Sequence, residues 1–170
     1  MTIPEIHTYL REKLPGAGLE LVEAHPDPVI RVPAEAMIEV AGVLRDDSEL
    51  HFECLMCLSG LETAEEMLVV YHLYSMRHGH KCTLKCGGPK GDQVVVPTVC
   101  RIWPTAEWHE REAFDLFGIR FEGHPDPRRI LCPDDWEGHP LRKDYVPQEK
   151  WHDIPLTQRG YGRSREGGGL

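Results

Sequence analysis

From Gly118 to the last residue, 8 of 53 positions are glycine and 6 are proline, about one in four. Proline has a fixed φ and no N–H to donate, and glycine weakens any element it interrupts, so this third of the chain resists long helices and central strands. It is nonetheless no bland linker. Phe121, Ile130, Leu131, Trp136, Leu141, Tyr145 and Trp151 punctuate it. A solvated tail gains nothing from such residues, whereas a tail lying in a groove does. The sequence predicts an extended docking tail over 118–159, with 160–170 as a disordered end.

Charge divides the chain at the same place. Residues 1–117 hold 10 Lys/Arg against 19 Asp/Glu, which is the whole net charge of −9, while residues 118–170 hold 9 of each sign. An acidic body argues against nucleic acid as a partner. The neutral tail, dense in both signs, can pair its charges across an interface. A length of 170 residues, 41% of them apolar, suffices for a core without disulfides or a structural metal. The longest apolar-rich run, Met67–Tyr71, is broken by His72 and falls far short of the ~20 residues of a membrane helix. No export signal is read at the start. The six cysteines (Cys54, Cys57, Cys82, Cys86, Cys100, Cys132) are therefore expected to be reduced, and membrane contact to go through a partner.

Within residues 1–117 the patterning predicts a two-layer α+β domain with a mixed β-sheet, in the order α-β-β-α-β-β-β-α. Thr2-Ile3-Pro4-Glu5 reads as a helix start, with Ile6, Leu10 and Leu14 following at helical spacing. Strands are expected at Glu20–Ala24 and Val29–Val32. Pro33 opens a second helix whose apolar face is Met37, Val40, Ala41 and Leu44. Leu50–Leu58 is expected as a strand with Phe52, Cys54, Met56 and Leu58 on one face, then Met67–Met76 and Lys81–Cys86 joined by a turn at 77–80. Val94–Trp103 fits either a strand or a short helix. Thr105–Phe117 reads as the last helix, and Gly118 stands where a left-handed C-cap belongs.

The candidate chemistry is thin. On a strand Cys54 and Cys57 point to opposite faces, and Cys82 and Cys86 lie ~13 Å apart, so neither pair shares one zinc. His109-Glu110-Arg111-Glu112-Ala113 begins like a zinc-protease helix but has alanine where the second histidine belongs. Glu112 and Asp115 stand three apart on the last helix and could act as an acid–base pair. Glu107–Arg111 and Arg111–Asp115 are also i,i+4 pairs of opposite charge, normal helix support. The tail arginines Arg128 and Arg129 offer partners for Glu110, Glu112 or Asp115. His124 and His139, each between Gly and Pro, read as turn residues with rings bonded to backbone. Structural ion pairing is the favoured reading.

The stretch Glu110-Arg111-Glu112-Ala113-Phe114-Asp115-Leu116-Phe117-Gly118, followed by Gly123-His124-Pro125-Asp126-Pro127-Arg128-Arg129-Ile130-Leu131, resembles the signature of the C-type (thirty-kilodalton) subunit family of the proton-pumping NADH:quinone oxidoreductase, respiratory complex I. Gly138-His139-Pro140-Leu141-Arg142-Lys143-Asp144-Tyr145 fits the same family, as do Val96-Pro97 and the Trp103–Trp108 spacing. Pro127 departs from the pattern, which usually has leucine there.

The resemblance implies a supporting role in the peripheral arm, on the cytoplasmic face of the bacterial cell membrane. It implies that the chain holds no cofactor. FMN, iron–sulfur clusters and quinone belong to other subunits, and the tail lies along the large quinone-site subunit, near the subunit with the terminal cluster. Glu110, Arg111, Glu112, Asp115, Phe117 and Gly118, with the tail residues just quoted, are then docking rather than catalytic residues. The parent reaction is electron transfer from NADH to quinone coupled to proton translocation. Rival readings are the equivalent subunit of a membrane-bound hydrogenase, formate hydrogenlyase or F420 dehydrogenase, a stand-alone Cys/His metalloenzyme, and a redox-sensing thiol protein.

Overall fold

The start signal at Thr2–Glu5 behaves as its residues dictate. Helix α1 runs Ile3–Lys13, the Glu5 carboxylate accepts the Thr2 N–H at 2.7 Å, and Pro4 sits in the first turn, where no N–H is needed. Ile6 and Leu10 are fully buried. After Pro33 comes one 3-10 turn, Ala34–Ala36, then α2 over Met37–Asp46 with Met37, Val40, Ala41 and Leu44 buried. Helix α3 runs Ala106–Phe117 and ends at Gly118 with φ +77°, the left-handed cap that a residue without Cβ adopts freely. In this computed structural model residues 1–91 and 93–156 are described.

Strands β1 (Glu20–Val22), β2 (Val29–Arg31), β3 (Cys54–Glu62), β4 (Glu66–Tyr74) and β5 (Lys81–Pro89) form one sheet in the order β1-β2-β5-β4-β3. The β2–β5 pair is parallel and the others are antiparallel, so the sheet is mixed. Met67, Val69, Tyr71 and Leu73 of β4 join Cys82, Leu84 and Cys86 of β5 and the buried faces of all three helices in one core. The opposite face carries exposed His72 and Tyr74. The α+β class is as read from the patterning.

Strand β3 departs from the alternation. It begins at Cys54 rather than Leu50, and a bulge between Leu55 and Cys57 inserts Met56. The extra residue shifts the facing pattern: Leu55 and Leu58 are buried, while Met56 is 62% exposed. Phe52 is buried from the preceding loop, where its carbonyl accepts the Trp103 indole N–H at 2.8 Å. The bulge also corrects the cysteine geometry. Cys54 and Cys57 oppose Tyr74 and His72, which are two apart on β4, so both cysteines lie on the same face. Cys82 and Cys86 are buried in the core, where desolvation pushes each thiol up to about 12.

Val94–Trp103 resolves into a short strand, β6 (Val95–Pro97), followed by turns. The globular body does not stop at Phe117. Gly118 turns the chain back so that β7 (Arg120–Glu122) runs parallel to β6, and Ile119 and Phe121 enter the core. The body therefore extends to Glu122. Beyond it the described tail has no helix, only a two-residue ladder between β8 (Lys150–Trp151) and β9 (Ile154–Pro155). The end expected to be disordered, 160–170, lies outside the described residues.

Gly87 shows how closely β4 and β5 are fitted. Its φ is +155°, and a Cβ there would lie 2.2 Å from the Met67 carbonyl oxygen and 2.8 Å from the Leu68 Cα, both backbone atoms. Gly88 has open space. Gly87→Ala should lower stability by about 2–4 kcal/mol and Gly88→Ala by less than about 0.5 kcal/mol, measured as urea unfolding midpoints.

Candidate functional site

The signature residues converge on one buried carboxylate. Asp115, in the last turn of α3, is fully buried. Its Oδ2 accepts three successive backbone N–H groups, from Ile130 (3.0 Å), Leu131 (2.7 Å) and Cys132 (2.8 Å). Its Oδ1 accepts an Arg129 N–H at 2.7 Å. Burial pushes the Asp115 pKa up. The Cys132 and Leu131 amides, the Arg129 guanidinium and the Ile130 amide outweigh it and bring the pKa down to about 2.

Around this centre the tail is stitched to the body. Arg129 also donates to the carbonyls of Trp136 (3.0 Å) and Gly138 (2.9 Å). The His139 Nδ1 donates to the Asp115 carbonyl at 2.8 Å, and its ring lies where a Cβ on Gly118 would come within 2.7 Å. Gly118 thus both caps α3 and admits His139. The Leu141 N–H donates to the Leu116 carbonyl at 3.0 Å. The Lys143 N–H donates to the Glu62 carboxylate at 2.6 Å, and that carboxylate, on the core side at the end of β3, also pairs with Lys90. Further out, the Trp136 indole N–H donates to the Tyr145 hydroxyl at 3.1 Å, and Arg142 pairs locally with Asp144.

Several expected pairs are rearranged. Arg111 bonds neither Glu107 nor Asp115. It turns instead to the Arg128 and Arg129 carbonyls at 3.1 Å each, approaches Asp126 at 3.5 Å and stacks over the Trp108 ring at 5.3 Å. Asp115 is already engaged by Arg129, and unpaired tail carbonyls are costly to leave beside α3. Arg128 meets no helix carboxylate and pairs with its neighbour Asp126 at 2.6 Å. His124 accepts the Asp126 N–H on Nδ1 (3.0 Å) and donates from Nε2 to the Glu107 carbonyl (3.0 Å), a turn supported by Gly123 at φ +79° and flanked by exposed Pro125. Phe117 packs its ring against Gly60 of β3. Pro140 is half-buried and Ile130 also.

The acid–base arrangement does not form, because Glu112 is exposed while Asp115 is locked inward. Among the described residues no group of three or more His, Cys, Asp or Glu side chains is placed to hold a metal ion. Glu110 is the other buried carboxyl. Its oxygens accept the Val99 N–H at 2.8 Å and the Thr98 hydroxyl, with the His124 Nε2 3.9 Å away. It borders a cleft of about 300 Å³ between α3, β7 and the 123–127 turn, walled by Phe114, Phe121 and Pro127. Burial raises its pKa to about 7, against the lowering effect of Thr98 and Val99. Sequence reasoning missed Glu62 and Thr98. A lone acidic residue closing the apolar run of β3 was the one available signal for Glu62.

Two measurements check this geometry. Asp115→Ala should cost about 3–5 kcal/mol of local stability by stranding Arg129 and three amides, seen as faster hydrogen exchange over 129–143 with the sheet still protected. The Glu110 pKa is raised from 4.5 to about 7, so the folded chain keeps a proton that the unfolded chain has already released. Stability should therefore fall by about 3 kcal/mol as pH rises from about 4.5 to 7. Glu110→Gln should flatten that slope in urea titrations across the window.

Comparison with known proteins shows the family. The model of the family described as respiratory-chain NADH dehydrogenase, 30 Kd subunit, matches residues 30–150, which include the clasp from Glu110 to Tyr145. The chain is 51% identical over 124 residues to the NADH-quinone oxidoreductase C subunit of Chloroherpeton thalassium, covering 72% of this chain and 51% of that one. It is 41% identical over 175 residues to the C subunit of Mycobacterium ulcerans, covering 92% and 73%. The chain thus spans about half the length of the first of these relatives. A chain in the structure of the membrane-bound sulfane sulfur reductase, an archaeal respiratory membrane complex, superposes with a TM-score of 0.68 at 27% identity, covering 84% of this chain and 85% of that one. Matched by that family model over residues 30–150 and 41% identical to a C subunit of which it covers 73%, this chain belongs to the respiratory-chain NADH dehydrogenase 30 Kd subunit family.

Proposed function

We propose that the chain is a structural and assembly subunit in the peripheral arm of an NADH:quinone oxidoreductase, and that its tail docks onto the large quinone-site subunit, near the subunit with the terminal cluster. One observation carries this reading: polar groups of the signature tie the tail to the body while four apolar side chains of the tail are held out from it. Asp115, Arg129 and His139 bond within the chain, whereas Leu131 (63% exposed), Leu141 (53%), Val146 (82%) and Ile154 (59%) face outward on the same segment. Apolar side chains held out by a rigid scaffold are what a protein interface uses.

On this reading the chain supplies no redox group. FMN, iron–sulfur clusters and quinone are held by other subunits, and electrons pass from NADH to quinone without touching this chain. Supporting that division, Cys82 and Cys86 are buried thiols with raised pKa values, and among the described residues no group of three or more His, Cys, Asp or Glu side chains is placed to hold a metal ion. Among the described residues no helix is long and apolar enough to cross a membrane, so membrane attachment, at the cytoplasmic face, goes through the complex. A second reading, the equivalent subunit of a related membrane-bound respiratory complex, is favoured by the likeness to the sulfane sulfur reductase chain. Co-purification after membrane extraction separates the two, by whether NADH oxidation travels with the chain.

The docking role has a direct test. Leu131→Asp with Leu141→Asp should abolish incorporation into the complex on native gels while shifting the thermal midpoint of the isolated chain by less than about 2 °C, since exposed positions carry little stability. Normal incorporation would refute the docking role. Arg129→Ala is the weaker probe, because its bonds are internal and its loss loosens the tail itself.

A further inference from the structure

We propose that the free edge of β3, over Cys57–Leu61, receives an extended segment of a partner protein as a sixth strand, and that lysine or arginine flanks that segment. The proposal rests on the assembly role above and names a second contact for it, separate from the tail.

The sheet has two edges, and only one is guarded. Strand β1 is three residues long and carries Glu20, with Glu23 just beyond. Short length and charge are the usual protections of an exposed edge. Strand β3 is nine residues long. Its bulge disturbs only the Leu55–Cys57 part, and from Cys57 to Glu62 the pairing with β4 is continuous, each residue opposing one. Over Cys57-Leu58-Ser59-Gly60-Leu61 there is no lysine, no proline and no charge. Cys57, Ser59 and Leu61 are exposed. Among the described residues, β4 is the only strand paired with β3, and no backbone bond reaches Cys57–Leu61 from any loop. A regular strand pairs on one side only about half of its N–H and C=O groups, so several remain for an added strand.

The flanking charges select the occupant. Exposed Glu53 precedes the strand and exposed Glu65 lies in the turn just beyond it, while Glu62 is buried and already paired with Lys90, so the acidic charge open to a partner at the two ends is that of Glu53 and Glu65. Antiparallel pairing of two copies would bring the Glu53 end of one against the Glu65 end of the other, and each body would add nine net negative charges. Like charges brought together across a strand pair are destabilising. A short uncharged strand with basic residues at its ends meets the same edge without conflict and gains from both acidic ends.

Hydrogen exchange on the extracted complex and on the isolated chain tests this. The amides of Cys57–Leu61 that point away from β4 should exchange at least about tenfold more slowly in the complex than in the isolated chain, as paired strand amides do relative to open ones, and the isolated chain should be monomeric by sedimentation. Ser59→Lys, a charge at an exposed position, should cut incorporation several-fold while leaving the thermal midpoint in place. Equal exchange in both states, wild-type incorporation of Ser59→Lys, or self-association protecting these amides would each overturn the proposal. If Leu131→Asp with Leu141→Asp blocks incorporation while β3 exchange is unchanged by assembly, strand addition falls and tail docking stands.

Discussion

The buried Asp115 carboxylate organises the second half of the molecule. Taking a carboxylate out of water costs several kcal/mol unless charge and hydrogen bonds replace the lost solvent. Here the replacement comes from three consecutive amides and one guanidinium, all supplied by a segment with no helix or ladder of its own. Asp115 also sits at the negative end of the α3 dipole, in a last turn that contains no basic residue. Arg129 supplies the positive charge that the helix lacks. The tail is therefore held in place by an electrostatic demand of the body rather than by any propensity of its own.

That demand orders the rest. Because Arg129 reaches back to the Trp136 and Gly138 carbonyls and His139 reaches the end of α3, the chain from Arg129 to Lys143 has little freedom left. Its remaining apolar side chains are then displayed from a fixed backbone. A segment already held in its bound shape loses less conformational entropy on association, which is the physical sense in which an intramolecular clasp assists a docking role. Buried ion pairs add little net stability but define geometry, and here the geometry is what the proposed interface uses.

Some of this was legible in the residues. Met37, Val40, Ala41 and Leu44 announced a helix by spacing, and Gly118 announced its cap. The pairing of Arg129 with Asp115 was among the partners the charges allowed. Met56 was not legible, because a bulge leaves no mark on an alternating pattern and moved it from the core face to solvent. Arg111 was not legible either: its i,i+4 neighbours on α3 were the local choice, and tail carbonyls more than fifteen residues away took it instead.

By itself the sequence determined the α+β class, the start of α1 and the Gly118 end of α3, the acidic body and the irregular tail, since these follow from side-chain periodicity, turn residues and net charge within short windows. Only the tertiary structure decided that the body continues through Phe121, that Arg128 stays with Asp126 while Arg129 reaches Asp115, and that Glu62 receives the Lys143 amide. Each of those outcomes depends on which groups are desolvated together. Desolvation is a property of packing, and chain order alone does not contain it.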